Sequence, residues 1–290
     1  MTLTGLYVPL ITPFDERRAV ALDALTALAH QVLDAGAAGL VALGTTGEPT
    51  ALDDSERRAV VEVVASVCRE RRAHLLVGAS TVESLRALGD EVGAALCLVP
   101  PFVRPGEAGA LAHFAHLAQA APVPLVAYHV PYRTGQPLSA AALRRLAELP
   151  GLAGIKHAVG GIDAETVAFL ADVPSGFAVL GGDDAFISPL LALGAHGGIL
   201  ASAHVATADF VALIEAWRAG DLARARPLGH RLAALSAALF AEPNPSVVKA
   251  VLHAQGRIPT PAVRLPLLPA APKTTDQALR YADDLAGVPG

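Results

Sequence analysis

The sequence predicts a (β/α)₈ barrel, an α/β fold, with additional C-terminal helices. Three observations favour this fold. Eight short apolar runs are typical of buried parallel strands, a helical segment follows each run, and no shift in composition marks a linker. With 290 residues, of which 53% are hydrophobic, the chain is long enough to bury a large core. A doubly wound open sheet is the alternative, but no Gly-rich dinucleotide loop follows the first strand.

The predicted strands and helices alternate in order along the chain. The leucines of the first helix recur at helical spacing, and the acidic stretch Asp53-Asp-Ser-Glu56 suits the first turn of the second helix. Strands are predicted at 6–10, 39–43, 74–77, 94–99, 124–129, 152–156, 177–180 and 198–201. Helices are predicted from 22 to a stop at Gly36, from about 53, and at 82–92, 107–120, 139–149, 163–171 and 184–193.

The last part of the chain predicts helices beyond the eighth strand–helix unit. Residues 207–255 have the pattern of two or three helices, and a Pro-rich tail with Arg264-Leu-Pro-Leu-Leu-Pro269 follows. We therefore expect a barrel over residues 1–205 and a helical extension over 206–290 that packs on it as a single structural unit. Such an extension covers one side of a barrel or builds a subunit interface.

Composition and charge argue against several classes of protein. A net charge of -5 and a pI near 6.0 argue against a nucleic-acid or anionic-membrane partner. Cys68 and Cys97 have no metal-ligand spacing and form no disulfide framework. The N-terminus lacks the basic region of a signal peptide, and no apolar run reaches the roughly 18 to 20 residues of a membrane span. We expect a cytoplasmic protein.

The most informative polar residue ends the sixth predicted strand. Lys156 follows the apolar run Leu152 to Ile155, so its side chain lies partly in an apolar wall and partly in a pocket. Desolvation there lowers the pKa of the amine, and a neutral amine can condense with a ketone or aldehyde to a Schiff base. Many strands end in a solvated lysine, so the polar residues at the other strand ends decide the interpretation.

Other polar motifs also follow strands. Gly44-Thr-Thr-Gly-Glu48 can present N–H groups and hydroxyls to a small carboxylate, or is a turn with satisfied hydroxyls. Tyr128 can place a phenol near an amine one strand away, and Arg133 offers a fork for a carboxylate; a rim residue and a surface ion pair are the alternatives. Gly181-Gly-Asp-Asp184 and Gly197-Gly-Ile-Leu200 let the backbone approach a ligand closely.

Together, and in this order, these motifs resemble the dihydrodipicolinate synthase / N-acetylneuraminate lyase family. The resemblance runs from Pro9-Leu-Ile-Thr-Pro-Phe14 to Glu242-Pro-Asn-Pro-Ser-Val-Val-Lys249 and the Arg264 segment. The tail segments and Arg133 are most similar to the synthase branch. The resemblance implies a lyase of lysine and diaminopimelate biosynthesis that needs no cofactor or metal and assembles as a homotetramer, a dimer of dimers.

The resemblance also implies a reaction and the residues that perform it. Pyruvate would form a Schiff base, and its enamine would attack an aldehyde, most closely aspartate semialdehyde. The implied catalytic residues are Lys156 for the Schiff base, Tyr128 for proton transfer and Thr45 for the proton relay. The implied substrate contacts are Thr46 for the pyruvate carboxylate, Ile199 and Gly182 for close backbone approach, and Arg133 for the carboxylate of the aldehyde.

The sequence departs from the synthase pattern at three positions. Phe102 stands where the family usually carries a relay tyrosine that crosses the dimer interface. His129 stands where an asparagine is usual, and His157 where an acidic residue commonly follows the lysine. Either a water replaces the missing hydroxyl or the second substrate differs. A lyase acting on a sugar acid or another 2-keto acid therefore stays open, as does a non-catalytic protein that binds a keto acid.

Overall fold

Eight parallel strands pair in chain order, and the last strand pairs with the first to close a barrel. The computed structural model describes residues 3–286. The predicted (β/α)₈ barrel is confirmed. The strands are β1 (Gly5–Pro9), β2 (Gly39–Ala42), β3 (His74–Gly78), β4 (Ala94–Leu98), β5 (Leu125–His129), β6 (Leu152–His157), β7 (Ala178–Gly181) and β8 (Gly197–Ile199).

Helices surround the barrel and continue beyond it. Within residues 3–286 they are α1 (Leu22–Asp34), α2 (Asp54–Arg71), α3 (Val82–Arg86), α4 (Gly106–Ala120), α5 (Pro131–Thr134), α6 (Ala140–Ala147), α7 (Ala164–Leu170), α8 (Ile187–Ala192), α9 (Thr207–Arg218), α10 (Leu222–Leu239), α11 (Ser246–Ala254) and α12 (Pro272–Ala286). None of the helices in this described part of the chain is long and apolar enough to cross a membrane.

Side-chain caps fix the start of several helices. At α2, Asp53 accepts a hydrogen bond from the Glu56 amide, and the Glu56 carboxylate accepts one from the Asp53 amide, which makes a capping box. At α6 and α7 only the first of these two hydrogen bonds is present: the side chains of Ser139 and Asp163 each accept a hydrogen bond from a backbone amide in the first turn of the helix. Each cap stabilises its helix by about 1 kcal/mol, so these N-termini lie where the sequence pattern predicted them.

Two predicted helices are shorter than expected. The helix α3 ends before position 92 because Gly89, a poor helix former, lies in a turn that the Val92 amide closes onto its carbonyl. The predicted helix from Asp184 divides into a 3₁₀ turn over Asp184–Phe186 and the helix α8. Pro189 has no N–H to donate to the carbonyl four residues earlier, so one α-helical hydrogen bond is missing between α8 and the residues of the 3₁₀ turn, and the α-helix does not extend to Asp184.

The tail of the chain contains a helix that the sequence pattern did not predict. The Pro-rich segment continues into α12, where Pro272 takes the first helical position and needs no amide partner there. The helix α10 packs against α9, α12 and α8. The division into a barrel over 1–205 and an extension over 206–290 stays a prediction, and Arg264 of the tail pairs with Glu56 of α2 across it.

The hydrophobic core has one part inside the barrel and another between the strands and the helices. The side of the strand on which a side chain lies decides which of the two it joins. The barrel interior is filled by residues such as Tyr7, Val41, Leu96, Tyr128, Leu180 and Ile199. Two further buried clusters lie between the strands and the helices. Since side chains alternate along a strand, Tyr128 faces the barrel interior while its neighbour His129 faces the helices.

Candidate active site

Lys156 and Tyr128 lie side by side at the carboxyl ends of β6 and β5. The two residues are direct partners in the register of these neighbouring strands. The Lys156 Nζ atom lies 4.4 Å from the centroid of the Tyr128 ring, and both side chains are buried. The strand order thus brings an amine and a phenol together in the barrel mouth, where enzymes of this fold carry out their chemistry.

Burial sets the protonation of the amine. Desolvation lowers the pKa of Lys156 to about 8, against the opposing charge of Asp184, with the Arg133 guanidinium adding to the decrease. Lys156 forms no ion pair within residues 3–286. Roughly a tenth of the lysine is therefore neutral at pH 7, a much larger share than for a solvated lysine.

The same burial keeps the phenol protonated. Desolvation raises the pKa of Tyr128, while the positive charge of Arg133 and the Thr45 side chain oppose that rise. A protonated phenol beside an amine can donate a proton to an alkoxide and take it back later. Arg133 itself lies exposed on α5, with its guanidinium carbon 5.8 Å from the centroid of the Tyr132 ring.

The Gly-Thr-Thr-Gly-Glu loop forms a 3₁₀ turn over Thr45–Gly47 just after β2. Thr46 is buried there, and its Oγ1 accepts a hydrogen bond of 2.9 Å from the side-chain amide of Asn244. Thr12 donates to the carbonyl of Gly47 at 2.7 Å, which holds the far end of the turn. Glu48 turns its carboxylate to Lys249, so the acidic residue of this loop has a structural partner.

Gly182 leaves room for the lysine side chain. A Cβ atom at Gly182 would lie 2.7 Å from Lys156 Cε, which is far inside van der Waals contact. Its amide donates to the carbonyl of His157 at 2.8 Å and fixes the loop after β7. Ile199 ends β8 and lines the barrel interior. Gly182 therefore lies against Lys156, while Ile199 lies in the barrel interior, and their roles as substrate contacts stay predictions.

Two carboxylates of the site were missed by the sequence interpretation. Asp184 is buried, its Oδ2 accepts a 2.5 Å hydrogen bond from the Ser202 amide, and burial raises its pKa to about 6. Burial also raises the pKa of Asp183, whose carboxylate accepts from the Gly160 amide at 2.6 Å. Both charges act on Lys156. They follow β7 directly, so the strand-end rule applied to carboxylates could have found them.

A neutral histidine pair lies behind the two site residues, on the helix side of the barrel wall. The rings of His129 and His157 are 5.5 Å apart between centroids. Burial lowers the pKa of His129 to about 3 and that of His157 to about 4. The Leu138 amide donates to His129 Nε2, and His157 Nε2 bonds with the Thr166 hydroxyl. These two residues therefore pack the wall and do not reach the pocket.

Phe102 lies outside the site in this chain. Its side chain is 91% exposed, and its φ of 66° places it in the left-handed region of the backbone, which is unusual for an aromatic residue. The described residues, 3–286, bring no three His, Cys, Asp or Glu side chains together in a way that could hold a metal ion.

A lyase that works through a Schiff base needs an amine that is partly neutral near pH 7 and a proton donor beside it. Lys156 and Tyr128 meet both requirements at the catalytic end of a (β/α)₈ barrel. The fold and the site together define a class I lyase. The chain belongs to the dihydrodipicolinate synthetase family, because the model of that family matches residues 2–284.

Relatives agree with this membership. The chain is 38% identical over 275 residues to 4-hydroxy-tetrahydrodipicolinate synthase from Synechococcus elongatus, covering 90% of this chain and 89% of the relative. It is 32% identical over 288 residues to 4-hydroxy-tetrahydrodipicolinate synthase 2 from Clostridium acetobutylicum, covering 97% and 100%. The crystal structure of the chloride-inhibited dihydrodipicolinate synthase from Acinetobacter baumannii with pyruvate superposes with a TM-score of 0.92 at 31% identity, covering 99% and 100%.

Proposed function

We propose that this protein condenses pyruvate with aspartate semialdehyde to 4-hydroxy-tetrahydrodipicolinate, a step of lysine and diaminopimelate biosynthesis. One observation carries the proposal: a lysine with a lowered pKa lies against a protonated tyrosine in the mouth of the barrel. The names of the similar enzymes from Synechococcus and Clostridium and the pyruvate complex of the similar Acinetobacter enzyme support the choice of substrates.

The chemistry follows from a neutral lysine. Lys156 Nζ attacks the C2 carbonyl of pyruvate, water leaves, and the resulting iminium draws electrons from C3. Loss of a C3 proton gives an enamine, which forms the new carbon–carbon bond with the aldehyde carbon. The aldehyde oxygen becomes an alkoxide and takes a proton from Tyr128. The amino group of the second substrate then displaces Lys156 from C2 and returns the free amine.

The remaining residues would hold the substrates. Thr46 would donate to the pyruvate carboxylate, and Thr45 would link Tyr128 to the pocket. Ile199 and Gly182 would let the backbone approach pyruvate. Arg133 would receive the carboxylate of the aldehyde at the rim, since an exposed guanidinium can pair with a carboxylate in two parallel hydrogen bonds.

Phe102 favours a second candidate function. A phenylalanine offers no hydroxyl to a proton relay, so the acceptor aldehyde can be a different one, as in a lyase acting on a sugar acid or another 2-keto acid.

The oligomeric state is a separate proposal. The exposed ring of Phe102 suits burial against a second copy of the chain. We propose a homotetramer on this ground and on the family resemblance. Light scattering of the purified protein measures the mass of the assembly directly.

The test combines trapping with turnover. Borohydride reduction in the presence of pyruvate should add a stable adduct to Lys156, and mass spectrometry of peptides locates it. Purified protein should also consume aspartate semialdehyde only when pyruvate is present. An adduct without this turnover, but with turnover of a sugar acid, would establish the second candidate. No adduct at any pyruvate concentration would leave only a protein that binds keto acids without catalysis.

A further inference from the structure

The C-terminal extension reaches the loop that carries the two threonines. Asn244, just before α11, donates its side-chain amide to Thr46 Oγ1 at 2.9 Å. Lys249, within α11, pairs with Glu48 of the same loop. Two contacts therefore join the loop after β2 to a segment about 200 residues later in the chain. Lys249 is fully buried and also donates to the carbonyl of Ala262, so these contacts anchor the segment that carries Asn244.

The direction of the hydrogen bond decides what Thr46 can offer to a ligand. A threonine hydroxyl has one proton to donate and two lone pairs that accept. Thr46 Oγ1 accepts from the Asn244 amide, so its own proton stays available. Within residues 3–286 the Thr46 hydroxyl donates to no other group. The Thr46 hydroxyl can therefore act as a donor to a ligand that carries an acceptor, such as a carboxylate.

The other half of the Asn244 amide is left without a partner. Asn244 Oδ1 is buried and makes no hydrogen bond within the described part of the chain. Buried polar atoms are nearly always paired, and an unpaired acceptor disfavours folding. An asparagine that served the fold would have its carbonyl satisfied. This amide instead has a single partner, and that partner is a residue of the candidate site.

We propose that Asn244 is a positioning residue for the carboxylate of the keto-acid substrate. It holds the Thr46 hydroxyl as an acceptor of its own amide hydrogen, which leaves the Thr46 proton to the substrate carboxylate. The proposal rests on the proposed function, because it assigns the ligand of Thr46 to the pyruvate carboxylate. It adds the C-terminal extension to the parts of the molecule that determine the affinity for the keto acid.

Two substitutions separate this role from a structural one. Asn244→Ala removes the donor, and we expect the pyruvate concentration for half-maximal borohydride trapping to rise about tenfold, with the maximal trapping rate within threefold of the original. Asn244→Asp offers only an acceptor, so the Thr46 proton turns to the new carboxylate and the pyruvate concentration rises further. The urea midpoint of Asn244→Ala should stay equal or increase, because the unpaired Oδ1 is removed.

Glu242→Ala is the matched control. Glu242 belongs to the same segment, but its carboxylate accepts from the Ala271 amide and not from the loop. The pyruvate dependence of trapping should stay unchanged in this variant. An equal rise in both variants, or no rise in either Asn244 variant, overturns the proposal. If the original protein forms no adduct at all, the proposed function fails and this inference fails with it.

A spectroscopic measurement needs no substitution. Asn244 is the only asparagine in the chain, so ¹⁵N-asparagine labelling gives one pair of side-chain amide signals. Pyruvate should shift this pair at the concentrations that support trapping, because the Thr46 hydroxyl then donates to the carboxylate and accepts more strongly. Side-chain signals that stay in place while the Lys156 adduct forms would overturn the role of Asn244 and leave the proposed function intact.

Discussion

The molecule contains two buried lysines with the same lowered pKa and opposite surroundings. Burial lowers the pKa of Lys156 and that of Lys249 to about 8 in each case. Each amine also lies over an aromatic ring, Tyr128 at 4.4 Å for the first and Phe14 at 4.0 Å for the second. Lys249, however, pairs directly with Glu48 and donates to a backbone carbonyl, whereas Lys156 has no ion-pair partner within residues 3–286.

The difference teaches that a lowered lysine pKa does not by itself identify a nucleophile. The Glu48 carboxylate in direct contact holds the Lys249 amine as an ammonium in an ion pair, and its lone pair is unavailable. The ring under Lys249 has no hydroxyl, while the ring under Lys156 can transfer a proton. Geometry therefore assigns one lysine to chemistry and the other to the structure of the loop after β2.

The largest expected effect is the loss of chemistry in Lys156→Met. Turnover and trapping should fall by roughly a thousandfold or more, because no other amine takes its place. The free energy of unfolding should stay equal or increase, since a buried cation without a direct partner is removed. Urea titration beside the trapping assay measures both. A clear fall in the urea midpoint would show that Lys156 also supports the fold.

Lys249→Met should give the opposite result. It leaves Glu48 buried without its partner, and we expect a loss of about 3 to 5 kcal/mol in the free energy of unfolding. In protein that remains folded, the Lys156 adduct should still form. The control is Glu48→Gln with Lys249→Met, which removes both charges and should recover part of the stability. Loss of the adduct with unchanged stability would reverse the assignment of the two lysines.

Tyr128→Phe gives Lys156 a phenylalanine ring beside its amine, as Phe14 already is beside Lys249. The packing is kept and the hydroxyl is lost, so we expect turnover to decrease by about a hundredfold. The urea midpoint should change little. Adduct formation with pyruvate should slow but still reach completion at long times. A turnover equal to that of the original protein would show that another group, or water, transfers the proton.

Acid should affect the strand ends that carry Lys156 and Tyr128. Behind them, His129 and His157 have pKa values of about 3 and 4, below the value of about 6.5 for an unfolded histidine. Between these folded-state values and pH 6.5 the unfolded chain binds more protons than the folded chain. The contribution of the neutral histidines to the free energy of unfolding is therefore fully present above pH 6.5 and is lost as the pH drops towards 4. The slope is about 1.4 kcal/mol per pH unit for each histidine.

Urea titrations between pH 7 and pH 4 measure this slope. His157→Gln removes one of the titrating rings, so its stability should depend less on pH in that interval. An unchanged slope in the variant would show that the acid sensitivity comes from elsewhere in the molecule.

The smallest expected effect belongs to Phe102→Tyr, which restores a hydroxyl at the position where the family usually carries a relay tyrosine. Phe102 is exposed in the chain, so stability should not change. If aspartate semialdehyde is the substrate, we expect turnover to rise by up to about tenfold, which is about 1.4 kcal/mol in the barrier. A fall in turnover would indicate a site adapted to a different aldehyde.

Local patterns in the sequence were sufficient for the barrel and for the central pair of the site. Lys156 and Tyr128 each end an apolar strand, and parallel strands of a barrel bring their carboxyl ends together. The prediction of their proximity therefore needed only the strand order. Asp183 and Asp184 follow β7 and obey the same rule, but the two glycines before them also fit a loop in which only the backbone approaches a ligand.

Contacts between distant parts of the chain could not be predicted in this way. Asn244 and Thr46 are 198 residues apart, and no periodicity or spacing relates them. The pairing of Lys249 with Glu48 has the same origin. Such contacts depend on how the extension packs against the barrel, which is a property of the whole tertiary structure. Helix ends were likewise misjudged where a single glycine or proline overruled an apolar pattern, as at Gly89 and Pro189.

The tie between the loop after β2 and α11 has a consequence for biosynthesis of the protein. A ribosome makes the chain from its N-terminus, so Thr46 and Lys156 leave the ribosome well before Asn244 and Lys249 do. A nascent barrel that already displays its lysine still lacks the segment that fixes the loop. Full affinity for the keto acid can arise only once nearly the whole polypeptide has been synthesised. Premature termination before codon 244 would thus yield fragments that lack both Asn244 and Lys249, with a weakened pocket and with Glu48 left without its partner.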